Sequence, residues 1–372
     1  MRRAVSIAVA AAWLGICAAT AAAAEQREVP EIMPNEAPPV VRPEALDGER
    51  PLLALDTPVG VLAYAPGRGL RVGDTGLWLG GYAAADAVRD EGGPGEFSLE
   101  ALSLFVVWTP TSRLRLFSEL ELEDPLVVDT EGDSTARAGF TVERLYGDAI
   151  ASDALTVRGG KFLTPVGRWN VIHAAPLVWT TSRPLVTELP FDQHTTGAAL
   201  LGTFFLGHDT LSYTVYGQPA GSFDEVDQPQ VADHSVGARL EWDRGADLSL
   251  GSSYLAFERH GVWRNAVGLD ALWARGPLEV MSELLVERSP HGGRDQWGCY
   301  LQGVYEIHPP LALVGRYEHY DQAGVQPTVN LFVAGLAYKP RPWVVVKLEY
   351  LAADHPAEAS PPGFKSSLAV LF

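Results

Sequence analysis

Charged residues in this chain recur two apart within apolar surroundings. From 113 to 123 the odd positions hold Arg113, Arg115, Phe117, Glu119, Glu121 and Glu123, and the even positions hold Leu114, Leu116, Ser118, Leu120 and Leu122. The pattern returns with Arg239 and Glu241, with Glu279, Glu283 and Glu287 opposite Leu278, Val280, Leu284 and Val286, with Arg316 and Glu318, and with Lys347 and Glu349. A period of two puts each set on one face of a strand. Charges of both signs on one face, with no nucleophile beside a base, act on ions through their field rather than on bonds. A second group, Lys161, Arg168, His173 and Arg183, lies in a stretch also rich in Trp, Val, Ile and Leu.

The residues of enzyme chemistry are not found in this pattern. There is no Gly-x-Ser-x-Gly elbow and no His-Glu-x-x-His zinc motif. Gly67-Arg68-Gly69 lacks the later glycine spacing of a nucleotide loop. His173 and His194 flank one long loop, without the accompanying ligands at fixed spacing that a metal needs. The reading is therefore of no enzyme, with no catalytic residue, no metal and no cofactor. Cys299 shares a register with Trp297, Leu301 and Tyr305 and reads as a small hydrophobe. The net charge of −18 excludes a nucleic-acid partner.

The elements that position these residues follow from both ends of the chain. Arg2 and Arg3, the apolar run Ala4 to Ile16 and the small residues Ala22-Ala23-Ala24 read as a secretory signal peptide over 1–24. Ile16 before Cys17 does not fit a lipoprotein signal. Cleavage after Ala24 leaves Cys299 alone, so no intrachain disulfide is expected. Residues 25–74 hold prolines at 30, 34, 38, 39, 43, 51, 58 and 66. They read as a Pro-rich N-terminal segment, either periplasmic or docked on the lumen through its apolar second half. Every later apolar run is interrupted before the length of a membrane helix, so a chain that enters a membrane must do so as a closed barrel.

From Thr75 onward the chain divides into strands near 76–88, 96–109, 112–122, 135–148, 154–163, 192–206, 208–218, 232–243, 246–257, 262–274, 277–287, 295–307, 310–320, 327–339, 342–351 and 363–372. These sixteen predict an all-β fold, a transmembrane antiparallel up-and-down β-barrel over 75–372. Even-numbered connections are short, such as Pro110-Thr111, Arg244-Gly245 and Arg275-Gly276. Several odd-numbered ones are long, above all Thr164 to Phe191. Short turns at one end and long loops at the other are what a barrel in an outer membrane requires, and a soluble sandwich has no cause to sort its loops by parity. Trp108, Trp242, Trp273, Trp297, Tyr338, Trp343 and Tyr350 sit near strand ends, where interfacial girdles would place them. Adjacent Glu143 and Arg144, and Gly159-Gly160 between Arg158 and Lys161, break the alternation and predict a bulge, a strand end or a loop packed nearby.

The last strand, Gly363 to Phe372, puts Phe364, Leu368, Val370 and Phe372 on one face. Its aromatic last residue resembles the assembly signal of bacterial outer-membrane proteins. Gly160-Lys161-Phe162-Leu163-Thr164-Pro165-Val166-Gly167 resembles the Gly-Lys-Phe-x-x-Pro-x-Gly run of phosphate-selective-type porins, a group that matches the strand number as well. The resemblance implies a porin in the outer membrane of a Gram-negative bacterium, passing small hydrophilic solutes or ions. It implies as partners the membrane lipid and lipopolysaccharide and the barrel assembly machinery, and by analogy a homotrimer. Arg113, Arg115, Glu119, Glu121, Arg239, Glu241, Glu283, Arg316, Glu318, Lys347 and Glu349 are then expected to line the pore. Lys161, Arg168, His173 and Arg183 are expected at a constriction formed by the 164–191 loop. The alternative for that loop is a fold over the outer rim, covering a subunit contact. The alternatives for the protein are a non-conducting barrel with a binding or structural role, and a secreted soluble β-protein.

Overall fold

The computed structural model describes residues 51–130, 134–135, 139–172, 174–221, 231–289, 296–322, 327–355 and 360–372. Sixteen of its strands form the wall of a closed antiparallel barrel. They are β4 (Leu77–Asp90), β5 (Gly95–Thr111), β6 (Leu114–Asp129), β8 (Gly139–Ser152), β9 (Leu155–Leu163), β10 (His194–Leu206), β11 (Asp209–Gln218), β12 (His234–Arg244), β13 (Leu248–Arg259), β14 (Val262–Arg275), β15 (Leu278–Arg288), β16 (Gln296–His308), β17 (Leu311–Gln322), β18 (Val329–Arg341), β19 (Val344–Ala353) and β20 (Gly363–Leu371). The two-residue strand β7 (Ser134–Thr135) pairs with the far end of β6. Each wall strand pairs with its sequence neighbour, and β20 returns to β4 with Gly363 opposite Asp90 and Leu371 opposite Tyr82.

The alternation sorts side chains as the sequence predicts. Leu348 is 50% exposed on the outside, while its neighbour Lys347 is 2% exposed inside. Leu116, Val215, Leu240, Val267, Leu313 and Leu336 stand exposed on the same outer surface. An exposed apolar band of this extent is out of place in water and suited to lipid. Closure matters for the same reason, since an unpaired strand edge has no partner in hydrocarbon. Among the described residues no helix is long and apolar enough to cross a membrane.

Two local departures have physical causes. Glu119 pairs with Arg144 and Leu120 with Val142, so Glu143 is the extra residue of a bulge. The slip lets Arg144 reach Glu119 at 2.5 Å and Glu143 reach His194 at 2.6 Å. Gly160 has φ +134°, and a Cβ there would run into the backbone of Leu145 and Tyr146, so only glycine fits that step.

The apolar second half of the Pro-rich segment adds three short strands, β1 (Leu53–Thr57), β2 (Gly60–Ala65) and β3 (Gly69–Val72). They form an antiparallel meander whose last strand pairs with the first residues of β4, Leu70 opposite Leu79 and Val72 opposite Leu77. The Trp78 indole donates to the Arg68 carbonyl, and the Gly67 turn lies against Trp343. The meander thus continues the wall below the end of β20.

Candidate functional site

The interior is built by every second residue of the wall, and its two sides differ in chemistry. On β4, β5, β6 and β8 the inward residues include Tyr82, Phe105, Phe117 and Tyr146, with ring centroids 5.8, 6.0 and 5.2 Å apart in sequence. Guanidinium groups lie on this aromatic arc, Arg144 at 4.8 Å from the Phe117 ring and Arg158 at 3.9 Å from the Tyr146 ring. Such contacts hold a cation on an apolar surface by the ring quadrupole. From β12 to β20 the inward residues mix apolar side chains, such as Leu255, Phe257, Met281, Val314 and Leu331, with the charged Arg239, Glu241, Asp270, Glu279, Glu283, Arg316, Glu318, Lys347 and Glu349.

The loop between β9 and β10 lies between these two sides. It contains two single-turn helices, α1 (Trp169–Ile172) and α2 (Leu185–Glu188). It leaves the wall beside His194, where Thr164 donates its N–H to the Gln193 carbonyl at 2.8 Å. It then runs toward the short-turn end, where the Trp179 indole donates to Glu279 at 2.8 Å and the Lys339 ammonium sits 3.5 Å from the Trp179 ring. Glu279 is the second residue of β15, directly after the β14–β15 turn. The loop returns past Leu185, and Arg259 at the opposite end of β13 donates to the Pro190 carbonyl at 3.5 Å. The loop therefore runs the height of the wall inside the barrel, and the outer-rim alternative does not describe it.

Three wall carboxylates hold the loop by its backbone. Glu283 accepts the Trp169 N–H at 2.7 Å, and Glu318 accepts the Leu185 N–H at 2.7 Å. Glu349 accepts two, from Thr181 at 3.1 Å and Ser182 at 2.6 Å. Two wall cations complete the set. Arg316 donates to Thr180 Oγ1 at 2.6 Å and to the Ser182 carbonyl at 3.0 Å, and Lys347 donates to the carbonyls of Ala175 at 2.8 Å and Thr180 at 3.1 Å. Hydrogen bonds to charged partners are the stronger kind, and buried loop backbone must find partners or lose free energy. The apolar residues Val166, Trp169, Ala174, Val178, Val186 and Phe191 join one buried cluster that contains the aromatic arc and also Leu255, Met281, Leu285 and Tyr300, and the Trp169 ring lies 6.5 Å from that of Tyr300.

The loop cations expected at a constriction are engaged elsewhere. Arg168 is buried, 3.4 Å from Glu241 and 3.6 Å from Asp270, and bonds Ser249. Arg183 turns back into its own loop, bonding Asn170 at 2.6 Å and Gln193 at 3.1 Å. Burial there lowers the Arg183 guanidinium to about 10, so it stays charged at neutral pH. Lys161 donates to the Val142 carbonyl at 2.7 Å. His173 lies outside the described residues. Of the three, Arg168 meets wall carboxylates, Arg183 meets neutral groups of its own loop, and Lys161 meets a wall carbonyl.

The wall residues divide in the same manner. Arg113 is exposed in the β5–β6 turn, one residue before β6 begins, and so lies off the lumen face assigned to it. Arg115 pairs with Asp148, which also takes Arg158 at 2.8 Å. Glu119 binds Ser103 at 2.8 Å besides Arg144, and Glu121 accepts from the Tyr82 hydroxyl at 2.8 Å. Arg239 makes a bidentate pair with Asp270, at 2.6 and 2.9 Å, and reaches Glu241 at 2.6 Å. The sequence reading assigns no lumen role to Arg144, Asp148, Arg158 or Asp270. The bulge at Glu143 hid the first, while Asp148 and Asp270 keep the strand period and could have been found by it.

Inward side chains at mid-height are buried: Phe105, Phe117, Arg158, Asp270, Glu283, Tyr300, Gln302, Arg316, Lys347 and Glu349 all fall in this class. A water-filled lumen with free charged faces is therefore not what this conformation holds. Toward the long-loop end, Glu121, Glu123 and Glu143 bring carboxylate oxygens within 4.8 Å of one another, Glu123 exposed and the other two partly buried.

No family model matches the chain. It is 24% identical over 342 residues to an uncharacterised protein of Aquifex aeolicus (strain VF5), covering 75% of this chain and 76% of that one. Among solved structures it is similar to OmpF of Salmonella typhi in complex with daunomycin, with a TM-score of 0.59, 10% identity, and 81% of this chain and 99% of that one covered. It is similar to the anion-selective porin of Comamonas acidovorans, with a TM-score of 0.54, 13% identity, and 79% and 98% covered. It is also similar to the trimer form of OmpT, an outer membrane protein of Vibrio cholerae, with a TM-score of 0.55, 11% identity, and 80% and 99% covered. Closed wall, strand order and these likenesses agree: the chain has the sixteen-stranded barrel fold of the outer-membrane porins.

Proposed function

We propose that the protein is an outer-membrane channel for small hydrophilic solutes or ions, with passage controlled by the 164–191 loop. The observation that carries this reading is that, among the described residues, the carboxylates that accept from the loop's backbone stand on β15, β17 and β19. Backbone hydrogen bonds tie it to Glu283, Glu318 and Glu349, and apolar packing joins it to the aromatic arc as well as to Tyr320, Leu331 and Leu351. Apolar packing is not directional and can be remade in more than one arrangement. A path opened beside the aromatic arc begins at Glu121, Glu123 and Glu143, which favours cations at the mouth.

A second reading is a non-conducting barrel with a binding or structural role, favoured by the burial of the mid-height side chains. Planar-bilayer recordings of the wild type and of a variant lacking 168–183 separate the two. Discrete steps from the wild type, enlarged in the deletion, support the channel. Silence from the wild type and steps from the deletion support a barrel closed by its loop. Silence from both, with heat-modifiable mobility intact, removes the channel reading. A homotrimer, for which the trimer form of OmpT from Vibrio cholerae is the support, is checked by light scattering of the detergent-solubilised protein.

A further inference from the structure

The lipid-facing surface of β16 to β19 is not evenly covered. Gly303 pairs with Gly315, and Gly315 with Ala334, so three adjacent strands present almost no side chain at one level. Neither glycine has a positive φ, and a Cβ at either would meet nothing within 4 Å. Backbone geometry therefore does not demand glycine there. One level toward the long-loop end stand Leu301, Tyr317 and Phe332, the last two with ring centroids 4.9 Å apart. One level the other way stand Leu313 and Leu336. Between these ridges lies a trough of about 530 Å³ on the outside of the wall.

Immediately above the trough the same strands carry a polar row. Asn330 donates its side-chain amide to Asp354 at 2.6 Å and its backbone N–H at 2.8 Å. His319 and the Tyr317 hydroxyl meet Asn330 Oδ1 at 2.8 and 2.9 Å, and the Trp297 ring lies 4.6 Å from the His319 ring. The row fixes the exposed Asp354 carboxylate where β19 ends, close to the upper edge of the trough. Glu91, bonded by the Tyr350 hydroxyl at 2.7 Å, adds a second carboxylate at this rim.

We propose that this trough and rim bind one glycerophospholipid with an amine-bearing headgroup, its acyl chain in the trough and its ammonium on Asp354. Within a bilayer the chain gains no hydrophobic free energy by moving onto protein, so the fit of the trough contributes only van der Waals contact. Preference must then come from the headgroup. Two carboxylates stand at the rim, Glu91 and Asp354, the latter with His355 Nδ1 3.4 Å away, and together they favour an ammonium over a lipid of net negative charge.

Native mass spectrometry of the full-length barrel in detergent tests this, with phosphatidylethanolamine and phosphatidylglycerol of identical chains offered in turn. The expected result is one retained lipid, with the ethanolamine form favoured about fivefold, which corresponds to about 1 kcal/mol. Gly315→Leu fills the trough and should abolish retention of both lipids. Asp354→Asn should keep retention and remove the preference. Heat-modifiable mobility checks that each variant is folded, and Ala334→Leu replaces Gly315→Leu if that variant fails the check. Equal retention of the two lipids by the wild type overturns the headgroup assignment. Undiminished retention by folded Gly315→Leu overturns the trough. Loss of a multimer in Gly315→Leu, with no lipid retained by the wild type, would give the surface to a second copy of the chain and end the proposal.

Discussion

Glu349 accepts the backbone N–H of Ser182 at 2.6 Å across the interior of the barrel. The bond joins a wall strand to a loop far away in sequence, and the same carboxylate also takes the N–H of Thr181. Glu349→Ala leaves both donors buried without a partner, at about 1–3 kcal/mol for each group. The expected outcome is a lower urea midpoint for the refolded barrel and noisier current, with Glu349→Gln falling between. An unchanged midpoint in the alanine variant would mean that this carboxylate does not hold the loop.

Arg168→Glu brings a third carboxylate against Glu241 and Asp270. Removing one partner of a buried ion pair costs about 3–5 kcal/mol, and reversing it costs more. The variant should therefore lose folded yield before its selectivity can be read. Arg168→Met should fold better than Arg168→Glu, by comparison of heat-modifiable fractions.

Charge at the long-loop mouth should set the sign of selectivity. Replacing Glu121, Glu123 and Glu143 together with Gln removes three carboxylates that lie within 4.8 Å of one another. The reversal potential in a salt gradient should move away from cation preference, and more so at low ionic strength, where screening is weak. A potential unmoved by the triple change would place the selective region elsewhere.

Arg on the lipid face should be costly. Leu348→Arg and Leu313→Arg put a cation on the exposed apolar band, for about 2–4 kcal/mol at mid-membrane. Glu123→Arg at the mouth should cost far less. Lys347→Ala should be costly as well, because its ammonium serves the Ala175 and Thr180 carbonyls. Urea titrations in lipid vesicles rank the four variants.

Phe372→Asp should lower the folded membrane fraction. Phe372 and Gly81 exchange backbone hydrogen bonds at 2.9 and 3.0 Å, at the point where β20 gives way to β3 beside β4. Unaltered heat-modifiable yield would separate that aromatic residue from assembly.

The wall was legible because a period of two repeats in strand after strand. The segment expected at 277–287 is found at Leu278–Arg288, and that expected at 363–372 at Gly363–Leu371. The strands at 53–72 were not read as strands. They are four to six residues long and lack an alternating face that would mark them. Facing was legible too, as Lys347 and Leu348 show, but partnership was not. Nothing local in Arg168 points to Asp270, since that contact exists only once β14 and the loop meet inside the barrel. Arg113 shows the limit at an edge: the alternation runs on past the residue where the strand stops.

The seam between β4 and β20 carries a further consequence for assembly. Every other wall pairing joins neighbours in sequence and can form by local hairpins, each closing a modest loop of chain. The seam joins the two ends of the barrel and closes the longest stretch of chain of any wall pairing. In the structure β3 occupies the lower part of the edge of β4, so β20 has a fixed stopping point at Gly81. A strand sliding one residue along that edge would turn Leu368 inward and Ser367 into lipid. The meander thus acts as a ruler for closure, and shortening it should yield barrels that close out of register rather than barrels that fail to form strands.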